Sequence, residues 1–112
     1  MKKFSLRDIK LNEETSILSA FSLEGYRVVK GGVHVYTPGE ISHKGEYHVH
    51  DHPEVFIGIE GRAKFLIDGT EYEFKGGDVF VIEPGEEHHV TACEEDPITL
   101  VWLDVKKLKA TE

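Results

Sequence analysis

Imidazole and carboxylate crowd two short stretches of this chain. One runs His48-Val49-His50-Asp51-His52-Pro53-Glu54, and the other places His88-His89 just after Glu83-Pro84-Gly85. In an extended strand, side chains two residues apart point to the same side, so His48 and His50 aim into one space. A later strand lying alongside would bring His88 to the same point. Three neutral imidazoles and one carboxylate suit a divalent transition metal of the series Mn, Fe, Co, Ni, Cu or Zn.

The elements that must carry these groups read as β-strands. Arg27–Val29 and Val33–Tyr36 are rich in β-branched and aromatic residues and are split by Gly31-Gly32, a turn or bulge signal. Arg62–Asp68 and Thr70–Phe74 alternate apolar and polar side chains around Asp68-Gly69, a hairpin signal. Val55–Ile59, Val79–Ile82, Val90–Cys93 and Ile98–Val105 complete the series, with turns at Pro38-Gly39, Gly76-Gly77 and Pro84-Gly85. Short strands separated by frequent turns, with little helix, predict an all-β sandwich or barrel. Residues 1–24 are less regular and are expected to form an arm or first strand, with a short helical tendency around Glu13–Ala20. Residues 25–105 are expected to form the barrel, and 106–112 a charged tail. Val55–Ile59 and Val79–Ile82 are apolar on both faces, so the outer face needs a cover. The arm or a second subunit would supply it, and a homodimer is expected.

The chain has 112 residues, enough for one domain with a core of its own. Thirteen Lys and Arg against 21 Asp and Glu leave a net charge of −8, which gives no footprint for nucleic acid or an anionic membrane. The single cysteine, Cys93, excludes an intrachain disulfide, and an inert thiol is expected there. Met1–Ser5 has no apolar signal-peptide region, and no apolar run approaches the roughly 20 residues of a membrane span. A cytoplasmic protein is expected.

With these residues in view, the chain resembles the cupin superfamily of small jelly-roll barrels, also described as double-stranded β-helices. Its first motif has the form H-x-H, three or four residues, E, six residues, G. His48-x-His50, three residues, Glu54, six residues and Gly61 fit that form, although Ser42 stands where the motif opens with glycine. In the second motif, Gly77 is followed after five residues by Glu83-Pro84-Gly85-Glu86-Glu87-His88. Glu83 replaces the first proline, and Ala92 the closing asparagine. The resemblance covers roughly residues 30–105. It implies a cupin barrel with His48, His50, Glu54 and His88 as ligands of one divalent transition metal, leaving positions for water, substrate or dioxygen.

Parity offers further candidates. Phe56 shares a face with Glu54, and Phe65, Tyr72, Phe80 and Trp102 are aromatics on inward faces, so these five are candidate pocket residues. An apolar pocket around a metal suits a small organic ligand. The scarcity of arginine (Arg7, Arg27 and Arg62) argues against a phosphorylated sugar. Tyr36, Tyr47 and Glu40 are candidate acids or bases near the mouth. His34 is a candidate partner behind the ligands, His52 is expected to face away or line the mouth, and His89 to point opposite to His88; His43 is unplaced. Two functions fit: an enzyme of dioxygenase, isomerase or lyase type, or a non-catalytic binding module for a small molecule.

Overall fold

The computed structural model describes residues 1–9, 16–42 and 49–109. Among the described residues, eight strands and one helical turn follow in chain order. They are β1 (Lys2–Ser5), α1 (Ile17–Ala20), β2 (Tyr26–Val35), β3 (Glu54–Glu60), β4 (Arg62–Ile67), β5 (Thr70–Lys75), β6 (Asp78–Ile82), β7 (His88–Ala92) and β8 (Thr99–Lys107). Every pairing between them is antiparallel, in a five-stranded sheet ordered β1-β6-β3-β8-β2 and a three-stranded sheet ordered β5-β4-β7. This is the all-β arrangement that the strand pattern predicted, in the jelly-roll form that the family resemblance implied.

Local chemistry explains the joints. The β4–β5 hairpin turns at Asp68 and Gly69, whose φ values of 47° and 81° are both positive. That is the type I′ geometry whose twist matches the flanking strands, and Asp-Gly is well suited to it. Gly31-Gly32 does not turn the chain as the sequence suggested. β2 runs through both glycines, and the register slips earlier, between Val28 and Lys30. The glycines serve packing instead: a Cβ on Gly32 would lie 3.1 Å from the Trp102 ring.

Inward side chains of the two sheets meet in a core built on phenylalanine. The Phe65 ring centroid lies 4.7 Å from Phe74, 5.0 Å from Phe56 and 5.1 Å from Phe80. Edge-to-face and tilted pairs of this kind add to the gain from burial. Phe65 is fully buried, so alanine there should cost about 3–5 kcal/mol. Urea unfolding would measure the loss, and a cost below about 1 kcal/mol would contradict this packing.

The outer face of the larger sheet carries a second apolar layer of Val55, Ile57, Val79, Val81 and Val105. Its cover comes from the chain itself: Phe21 and Leu23 are buried on it, and Phe4, Ile9 and Leu18 pack against it. β1 extends the sheet by pairing Lys2–Ser5 with Val81–Asp78. α1 is one turn, capped by the Ser16 side chain, which accepts a hydrogen bond from the Leu18 N–H. The Glu13–Thr15 part of the expected helical stretch lies outside the described residues. The apolar face that motivated a second subunit is thus covered without one. Apolar exposure persists elsewhere on that side, at Val33 (65%), Val35 (69%) and Ile59 (55%).

Candidate metal centre

Three elements converge at one end of the barrel. β3 begins at Glu54, whose cross-strand partners are Ile82 on β6 and Asp104 on β8. β7 begins at His88, paired with Ile67 at the end of β4. His50 lies just before β3, and its carbonyl accepts a hydrogen bond from the Gly85 N–H at 2.9 Å. That bond joins the two histidine-bearing stretches, so the Pro84-Gly85 turn acts as a clamp as well as a reversal. The turn is closed by the Glu86 carboxylate, which accepts from the Glu83 N–H at 2.7 Å.

The resulting cluster is compact. His88 Nε2 lies 3.0 Å and His50 Nε2 3.4 Å from Glu54 Oε1. One ligand atom from each of His50, Glu54 and His88 falls within 4.8 Å of the others, a grouping that could hold a common metal ion. His48, His43 and Tyr47 lie outside the described residues.

His88 is the best constrained of the three. It is buried, and its Nδ1–H donates to the Glu86 carbonyl at 3.1 Å. A metal-ligating histidine usually gives its other ring N–H to a carbonyl or carboxylate, which fixes the ring and turns the remaining nitrogen on the ion. Here that nitrogen faces Glu54. The donor set and its support therefore fit a divalent transition metal.

Burial, hydrogen bonds and charge act together on these side chains. Burial pushes the His88 pKa down, but the hydrogen bonds and charge of Glu54 and Glu86 outweigh it and raise the pKa overall. Burial pushes Glu54 up, but hydrogen bonds from His88 and Asp104 and the charges of His88 and His50 bring it below the ordinary value. Asp104 is raised by burial and by its hydrogen bond and repulsion with Glu54. The shifts of His88 and Glu54 thus favour the charged form of each, while that of Asp104 runs the other way.

A pH dependence follows. A raised His88 stabilises the fold below its ordinary pKa of 6.5 and loses that contribution as pH rises through the folded value. A lowered Glu54 stabilises above its ordinary 4.5 and loses its contribution as pH falls through the folded value. Metal-free protein should therefore draw the pair's full stabilisation between pH 4.5 and 6.5. Melting curves of wild type and Glu54→Gln across pH 4–9 would test it. Parallel profiles for the two proteins would refute the pair.

The cluster opens into a cavity of about 490 Å³. Phe56 and Trp102 border it. Phe65 and Phe80 do not: both are fully buried in the core, and Tyr72 packs at the edge of that core. Parity told inward from outward but not depth, and only the layer of residues nearest the mouth reaches the cavity. The opposite rim carries a polar group. His34 Nε2 is 2.8 Å from Glu40 Oε2, the other Glu40 oxygen accepts from the Thr37 N–H and hydroxyl, and Tyr36 stacks on His34 at 3.7 Å. His34 therefore belongs to the rim, bound to Glu40, and not to the support behind the ligands. His52 turns inward, its ring 4.9 Å from that of His50, and His89 lies 3.4 Å from Glu87. Asp104 and Lys30 also border the cavity and were missed.

Relatives share this architecture. A protein from Photorhabdus luminescens, plu4264, superposes with a TM-score of 0.59 at 26% identity, over 66% of this chain and 59% of that one. A cupin 2 conserved barrel domain protein from Salinispora arenicola gives 0.59 at 24% identity, over 77% and 76%. A cupin protein from Bacteroides fragilis gives 0.57 at 20% identity, over 94% and 86%. No curated protein matches the sequence. The family model for the cupin domain matches residues 32–105, which span both histidine-bearing stretches, and the chain belongs to the cupin family.

Proposed function

We propose that this protein is a metal-dependent cupin in which His50, Glu54 and His88, with His48 as a fourth donor, hold one divalent transition metal facing a small organic ligand. The observation that carries the reading is the His88 ring, pinned through Nδ1 by the Glu86 carbonyl and turned through Nε2 onto Glu54. Bound there, a metal with open positions would supply a Lewis acid or a site for dioxygen. The protein's own groups divide the remaining work. Phe56, Leu100 and Trp102 give the ligand an apolar wall. The His34–Glu40 pair and the Tyr36 hydroxyl supply donors and acceptors at the rim, where a ligand proton can be held or passed. Reactions of dioxygenase, isomerase or lyase type fit such a cavity.

Elemental analysis of tag-free protein, purified without added metal, tests this reading. One equivalent of Mn, Fe, Co, Ni, Cu or Zn is expected. Protein that carries none, and takes up none of the six at micromolar concentration, would sink the metal centre. What then remained would be the second reading, a metal-independent small-molecule binder, which the rim of donors and the aromatic wall also favour. No helix among the described residues is long and apolar enough to cross a membrane. We place the protein in the cytoplasm on its lone cysteine, and we place a second copy against the exposed Val33, Val35 and Ile59.

A further inference from the structure

Asp104 is a buried carboxyl that the three-residue cluster leaves unused. It faces Glu54 across the β3–β8 ladder and lines the same cavity as His50, Glu54 and His88. Its side chain is 4% exposed, and Oδ1 is buried without a hydrogen-bond partner. His52 Nε2, which is also buried and without a hydrogen bond, lies 3.7 Å from that oxygen. Oδ2 lies 3.7 Å from Lys30 Nζ, at the end of a side chain that is 69% exposed. Both separations exceed hydrogen-bonding distance.

A buried acceptor left unpaired is costly, and a second acidic side chain in the same wall adds like charge. A divalent cation relieves both penalties at once. We propose that Asp104 is a further ligand of the cavity's metal, giving the site two carboxylates and biasing it toward harder ions such as Mn(II) over Zn(II). The inference rests on the metal-centre reading above. Asp104 stands outside the 4.8 Å cluster, so its side chain must move to reach the ion. Carboxylate oxygens favour harder cations, and imidazole favours the Zn, Cu and Ni group. His52 would then be a positioning residue that steadies Asp104 from behind.

The test titrates metal-free wild type and Asp104→Asn with manganese chloride and with zinc chloride, following heat. The expected result is an Mn(II) affinity at least about 100-fold lower in the variant, with Zn(II) affinity changed less than about tenfold. A residue that only positions Glu54 would weaken both metals alike, by about 10–100-fold, and that result overturns the proposal. Unchanged affinity for both overturns it too. Wild type that binds neither ion defeats the metal centre itself, a different failure. Should Asp104→Asn fail to fold, electron–nuclear double resonance of Mn(II)-loaded wild type with ¹³C-carboxyl aspartate needs no substitution. Coupling from a directly bonded aspartate carboxylate supports the proposal, and its absence overturns it.

Discussion

Alanine at His88 should abolish stoichiometric metal uptake while alanine at His89 leaves it intact. Removing a support behind a ligand already costs about 10–100-fold in metal affinity, so removing the ligand should cost more than about 100-fold. His89 is the sharper control because it shares the strand and the side-chain chemistry. It points to the other face of β7, beside Glu87. Elemental analysis of both variants after loading and desalting would decide. One equivalent retained by His88→Ala would remove His88 from the site. The His88 variant should also lose some stability, since Glu54 loses its 3.0 Å partner and an emptied buried volume remains. A melting curve must therefore accompany the metal measurement.

The second large effect lies in the backbone. Gly61→Ala should lower stability by about 2–5 kcal/mol, or the melting temperature by roughly 10–20 °C. Gly61 links β3 to β4 at φ 84°, a conformation that costs an alanine about 1–2 kcal/mol. A Cβ there would also land on the Pro97 carbonyl oxygen. The segments cannot part easily, because the neighbouring Arg62 N–H donates to the Asp96 carbonyl at 2.7 Å. Gly69→Ala isolates the first contribution: its φ is 81°, but nothing lies within 4 Å of the added Cβ. Thermal melts should show Gly61→Ala clearly the worse. Equal losses would mean that the close approach to Pro97 carries no weight. This gives a physical reason for the glycine that ends the first histidine-bearing motif.

Much of the fold was legible because its signals are local. Alternation from Arg62 to Phe74, broken by Asp68-Gly69, states a hairpin outright. The unbroken apolar run Val79–Ile82 states a strand buried on both sides. Gly31-Gly32 misled because glycine marks both turns and close approaches, and only the position of Trp102 on a strand some 70 residues later tells them apart. The convergence of His50, Glu54 and His88 was legible because two motifs carry the spacing. Asp104 was not singled out, since its role comes from register with Glu54, and register is set by pairings that no local pattern displays. The depth of Phe65 and Phe80 depends likewise on how the two sheets stack.

The pairing of β1 with β6 also bears on the order of assembly. Lys2 aligns with Val81, so the first strand made must wait for one of the last to be made. During synthesis the valine-rich backs of β3 and β6 emerge with no stable cover until that long loop closes. Contacts of such wide sequence separation slow folding and prolong the life of partly formed states that expose apolar strands. Removing residues 1–5 should therefore affect yield and clumping during refolding more than metal uptake, because none of the metal donors lies on β1 or β6: Glu54 opens β3 and His88 opens β7 of the smaller sheet.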